Sequence, residues 1–122
     1  MKMKRKFSAL SIVAPNAMRI AQGMKTLEVR SWQPEHLPLK DLLIVENKTF
    51  LNHTGAEELG VAVALVDVES VHIWQPHEVE AACARYWAAG YFAWQLSNVR
   101  PIKNQVEVPA KRKIYLIEMD HA

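Results

Sequence analysis

One cysteine, Cys83, stands in a chain of 122 residues. No internal disulfide can form, and a lone thiol in an Ala-rich segment reads as a small buried side chain in a reducing compartment. Glycine is scarce too: the 4 glycines are scattered singly, which excludes a glycine-rich phosphate loop. No Gly-x-Ser-x-Gly elbow marks a serine nucleophile. The 5 histidines, His36, His53, His72, His77 and His121, have no ligand spacing, and a single cysteine cannot complete a zinc site, so neither a metal nor a cofactor is expected. No apolar run approaches the roughly 18 residues of a spanning helix, and the basic start lacks a signal-peptide core and cleavage site. A soluble, cytoplasmic protein with no membrane partner is expected. The net charge is only +2, so the chain is no bulk polycation and nucleic-acid contact must come from local clusters.

What is present fits one globular domain. Half of the residues are hydrophobic and 23% are charged, and the length suits a single core and a monomer. Residues 1–6 form a basic tail with Lys2, Lys4, Arg5 and Lys6, and residues 7–122 form the domain. A second basic run, Lys111, Arg112 and Lys113, lies near the far end. Each run by itself reads as solvated charge that keeps a tail or a strand edge soluble.

Strand patterns dominate. Phe7 to Val13 alternates, then Pro15 opens a short helix over Asn16 to Gln22 that Gly23 ends. Thr26 to Trp32 is a strand with Leu27 and Val29 toward the core and Thr26, Glu28, Arg30 and Trp32 on the other face. Pro34 and Pro38 make Gln33 to Leu39 a loop. Asp41 to Glu46 is a central strand, and Asn52 to Gly60 is a loop with one helical turn, capped by Thr54 with Glu57 three residues on and closed by Gly60. Val61 to Trp74 is a long, bent strand. Pro76 to Ala89 reads as a helix with Glu78 and Glu80 in its first turn and Gly90 as its stop. Tyr91 to Leu96, Val99 to Ile102, Gln105 to Val108 and Lys113 to Met119 complete the sheet. The class is mainly β with α: a small β-barrel flanked by two or three short helices.

Several strings carry a resemblance. Leu10-Ser11-Ile12, Pro15 with Ala17, and Gly23-x-Lys25-x-x-Glu28-x-Arg30-Ser31-Trp32 resemble the ASCH domain, a PUA-like barrel. Tyr91-Phe92-Ala93-Trp94-x-Leu96-x-Asn98-Val99-Arg100-Pro101-Ile102, followed by Lys113-Ile114-Tyr115, is similar to that family's closing segment. Where many members read Gln-Pro-Trp-Ala, this chain reads Ala14-Pro15-Asn16-Ala17, without the ring. The resemblance implies a PUA-like barrel whose cleft takes RNA or a nucleotide. It also implies a possible hydrolase: members that cleave acetylated cytidine look like Gly-x-Lys-Thr with a second Thr three places after the Lys. Lys25 and Thr26 match that opening, Glu28 replaces the second Thr, and Glu69 is the candidate for a carboxylate from a later strand.

The residues support such a cleft on their own chemistry. Arg30 offers a planar fork of donors and Lys25 a mobile point charge, which together hold an anion. Glu28 between them can accept from an exocyclic amine or act as a general base on a held water. An ion pair on a solvated strand face is the competing reading. Trp32, and second to it Tyr91, are the candidate stacking rings. Trp87 is expected to pack inward from the helix beside Cys83, and Trp94 suits core or cleft. The expectation is an RNA- or nucleotide-binding domain with a cleft of Lys25, Thr26, Glu28, Arg30, Ser11, Trp32 and Tyr91. The alternatives are a hydrolase acting on N4-acetylcytidine-type nucleosides or single-stranded RNA through Lys25, Glu28 and Glu69, and a protein-interaction module.

Overall fold

A computed structural model describes residues 3–121 of the chain; Lys2 of the basic start lies outside them. Six strands form one sheet: β1 (Met3–Val13), β2 (Leu27–Arg30), β3 (Leu39–Asn47), β4 (Glu57–Ile73), β5 (Phe92–Lys111) and β6 (Ile114–His121), with one helix, α1 (Asn16–Ala21), between β1 and β2. Their order is β2-β5-β4-β3-β1-β6, and the sheet curls into a half-barrel. Among the described residues only β1 and β3 run parallel. Among the described residues no helix is long and apolar enough to cross a membrane.

The alternation of β1 and β3 supplies two cores at once. Leu10, Ile12, Leu42 and Ile44 pack on one face of the sheet with Ile20, Val66 and Trp94. Phe7, Ala9, Leu43 and Val45 pack on the other with Val108 and Ile117. The middle of β3, Leu42 to Val45, is therefore apolar and fully buried at every position, as a strand covered on two faces must be. α1 closes over the first core with Ala17 and Ile20, both fully buried; an isoleucine so placed contributes about 1.5–3 kcal/mol. The helix has no side-chain cap of its own. Glu46 of β3 accepts the Met18 amide at 3.0 Å instead, a carboxylate where the helix leaves donors unpaired. Gly23 at φ 79° ends the helix, in the left-handed conformation that glycine takes without steric penalty.

Four expectations are corrected. Strand β1 starts at Met3, so Lys4, Arg5 and Lys6 sit in the sheet opposite Asp120, Met119 and Glu118 rather than in a tail. Gly60 closes no helical turn but lies inside β4, where an added Cβ would meet Glu46 O and Val45 Cγ1, each at 2.8 Å. The close approach of β3 demands glycine there, while Thr54 and Glu57 form a turn and a strand start. Phe92 to Val108 is not three strands but part of one, β5 (Phe92–Lys111), of 20 residues, and Tyr91 lies just before it. Pro101 and Pro109 fit because β2 pairs β5 only over Phe92 to Gln95, which leaves their outer edge open. Register shifts between Leu65 and Asp67 and between Val68 and Ser70 bend the pair as bulges do.

The fourth correction is the helix over Pro76 to Ala89, and with it the count of flanking helices. A single 3-10 turn, Pro76–Glu78, forms, followed by irregular chain. A helix would need the Ala81 and Ala82 carbonyls for amides four residues on. Here Ala81 O accepts the Thr26 and Leu27 amides at 2.9 and 3.1 Å, and Ala82 O accepts Lys25 Nζ. Cys83 takes φ 53° at that point, which stops helical continuation. The segment thus covers the free edge of β2, packing Ala82 with Leu27, Trp74 and Ala93.

Candidate nucleic-acid interface

The short β2 strand pairs with β5 on one side, Glu28 opposite Trp94 and Arg30 opposite Phe92. Its other edge meets the 81–83 segment, so the face that carries the charges looks into a hollow. Lys25 and Glu28 are 4% and 5% exposed. Their contact is 3.4 Å from Nζ to Oε1. Arg30 grips Glu28 Oε2 with Nε at 2.8 Å and Nη2 at 2.7 Å, and Nη2 also donates to Ser11 O at 3.0 Å. A buried carboxylate held by two cations, one of which also donates to a chain carbonyl of β1, is a tethered triad that ties β2 to β1. Of the Arg30 fork, Nη1 remains without a hydrogen-bond partner among the described residues.

The hollow continues into a cleft of about 830 Å³, within the range of small-molecule sites. One wall is the end of β1 with Ser11 to Val13 and Asn16; a second is Trp74 with Ala82 to Ala84 and Tyr91. The third is the β5–β6 hairpin with Lys111, Arg112 and Lys113, and the loop after β3 supplies Phe50 to Asn52. Its lysines and arginines number five, Lys25, Arg30, Lys111, Arg112 and Lys113, against the one carboxylate of Glu28. Trp32 stands with its ring edge-on to Trp94, 5.0 Å between centroids, and Lys113 Nζ lies 5.8 Å from its centroid. Tyr91 is 40% exposed and meets Trp74 edge-on at 6.4 Å.

Of the residues named from the sequence, Lys25, Glu28, Arg30, Ser11, Trp32 and Tyr91 share this cleft. Thr26 does not: its side chain is exposed, and its amide and carbonyl serve the backbone pairing with Ala81 and Leu96. Glu69 does not either. It pairs with Lys40 at 2.8 Å, beside Asp67 and outside the cleft lining, at the register shift between Val68 and Ser70. The Ser11 hydroxyl is engaged: it accepts the Lys111 amide at 3.2 Å and donates to Tyr115 Oη at 2.7 Å, whose own proton goes to Pro109 O at 3.0 Å. Burial raises the Tyr115 phenol above its ordinary value. Trp87 is not inward but 37% exposed, its Nε1 donating to Trp74 O at 3.0 Å. Trp94 is core, fully buried.

Two parts of the cleft carried little sequence signal. The hairpin cations were visible only as a basic run, and their place opposite Lys25 follows from β5 folding back past β1. Phe50 had no pattern at all, yet it is 78% exposed and lines the cleft. Its loop is held by Glu58, which accepts the Lys48 and Thr49 amides at 2.7 and 2.8 Å and Asn47 Nδ2 at 2.8 Å. Those donors, the Thr49 amide foremost, lower the Glu58 carboxyl to about 2. Among the described residues no group of three or more His, Cys, Asp or Glu side chains converges to hold a metal.

Comparison with known families finds a match to the model of the ASCH domain over residues 10–106. No curated protein matches the chain.

Proposed function

The chain belongs to the ASCH domain family, and from that premise we propose that it binds RNA or a modified nucleotide in the cleft between β1, β2 and the β5–β6 hairpin. One observation carries the reading: five cations and a single carboxylate face the same ring-edged cavity. A phosphate needs cations, a base needs a flat apolar surface, and both are within one hollow. The cations divide by task. Lys25 and Arg30 hold Glu28 and shape the floor, with Arg30 Nη1 still a free donor among the described residues, whereas Lys111, Arg112 and Lys113 are exposed and available to phosphate oxygens.

Catalysis is the weaker reading. A general base needs an oxygen free for water, but Oε2 of Glu28 takes two bonds from Arg30 and Oε1 faces Lys25. The family's later carboxylate also has no counterpart in Glu69, which lies elsewhere. Titrating the protein with short single-stranded RNA at several salt concentrations tests the binding reading. Lys111→Ala and Arg112→Ala should each weaken binding and lower the salt slope by about 1, with melting temperature unchanged. Binding that is absent, or indifferent to salt and to both substitutions, would overturn it. N4-acetylcytidine in a parallel assay should remain intact.

A further inference from the structure

A second cavity, of about 490 Å³, adjoins the cleft. Trp32 and Lys113 line both, so they form the partition between two hollows rather than the end of one. On the far side Gln33, Glu35 and His36 bring an amide, a carboxylate and an imidazole, and Ile114 lends an apolar surface. That is the makeup of a base-sized pocket: a flat apolar surface with a few donors and acceptors at its margin. The cleft itself has the cations and few free acceptors; the second cavity has the acceptors and Lys113 as its one lysine or arginine. Each hollow supplies what the other lacks.

We infer that these are two consecutive subsites for a single strand of at least two nucleotides, with the linking phosphate crossing at Lys113; this rests on the cleft being a nucleotide site. The chemistry follows from the partition. A chain that leaves one cavity for the other must carry its phosphodiester over Trp32. The Lys113 ammonium, near that ring, is where the negative charge is neutralised at the crossing. A lone nucleotide fills one hollow and leaves the margin of Gln33, Glu35 and His36 unused. The ligand class is therefore single-stranded RNA, not a free modified nucleotide.

The test uses the full chain at one fixed salt concentration, titrated with 5′-phosphorylated ribonucleotides of each base as monomers, dimers and longer oligomers, and followed by tryptophan fluorescence and calorimetry. The dimer should bind about tenfold more tightly than the monomer, with a smaller gain for each further nucleotide. Lys113→Gln should shrink that step and lower the salt slope for the dimer by about 1 without moving the melting temperature. His36→Ala should shrink the step with no change in salt slope, since it removes a base contact and not a phosphate contact. Equal affinity for monomer and dimer overturns the second subsite while leaving the cleft as a nucleotide site. A gain that repeats by the same factor with every added nucleotide, untouched by either substitution, also overturns it, because general charge attraction then explains it. If neither monomers nor oligomers bind, the cleft reading and this one fall together.

Discussion

Two clusters of opposed charges are built into this sheet; one borders the cleft, and the other lines neither of the two cavities described. The first is Glu28 and Arg30 on β2 with Lys25 just before it. The second lies where β3, β4 and β5 meet: Arg100 reaches Asp41 at 2.6 Å and Asp67 at 2.8 Å, Arg5 reaches Asp41 at 2.6 Å, and Asn98 donates to Asp67 at 3.0 Å. Each contains a carboxylate that is 5% exposed, Glu28 or Asp67, and each fastens one strand to another. Judged by charge and burial they are alike. They differ in surroundings, since no member of the second cluster lines either cavity. Asp67 works on the backbone instead, accepting the amide of Asp41 at 3.0 Å, a residue held at φ 55° at an irregular point of β3. Clustered charge is thus a tether wherever it occurs, and becomes a candidate site only where space beside it stays open.

The likeness is tested first by truncating each carboxylate. Glu28→Ala strands Lys25 and Arg30, and Asp67→Ala strands Arg100 and the Asp41 amide; each should cost about 3–5 kcal/mol in urea unfolding. A loss below about 1 kcal/mol at Glu28 would mean that the triad holds nothing. The apolar rim gives the next effect. Phe50→Ala should weaken RNA binding by about 1–3 kcal/mol and leave stability unchanged. Leu116→Ala, equally stripped of exposed apolar surface on β6, should change neither; equal behaviour of the pair would remove Phe50 from the site.

Acid sharpens the comparison further. Asp41 is lowered from 3.8 chiefly by Arg100 and then Arg5, and Asp67 from 3.8 chiefly by the Asp41 amide. Glu58 falls from 4.5 to about 2. Depressed folded-state values mean that the unfolded chain binds more protons in acid, so their stabilisation is complete above the unfolded values and drains away as pH falls through the folded ones. The Phe50 loop should weaken between pH 4.5 and about 2, and the second cluster as pH falls below 3.8. Carboxyl titration by NMR with thermal melts checks this, and Glu58→Gln should flatten the pH dependence. Least affected should be Lys40→Ala: its ammonium is exposed between Glu69 and Asp67, so binding should stay as in the parent, whereas a loss would return Glu69 to the site.

Much of the candidate site was legible because it is local. Gly23, Lys25, Glu28, Arg30 and Trp32 fall within ten consecutive residues, and a helix stop followed by strand alternation places them on one edge without knowledge of the rest. Glu69 was misplaced for the opposite reason. Its position depends on bulges in β4, which leave no mark in an alternating Val-rich run. The 76–89 segment failed similarly: its glutamates and alanines favour a helix, but β2 takes the carbonyls that the helix would need.

Local order is what the chain alone determined: strand-rich alternation, the short helix between Pro15 and Gly23, and the gathering of acid, base and ring along β2. Those features depend on side-chain period and backbone preference over a few residues, which neighbours in sequence decide. The fold alone decided which charges face open space, that Phe50 and the Lys111–Lys113 hairpin meet β2 across a cleft, and that Trp32 stands between two cavities. Such juxtapositions arise from how β5 bends and where β1 ends, and depend on contacts between residues far apart in the chain that no local pattern encodes.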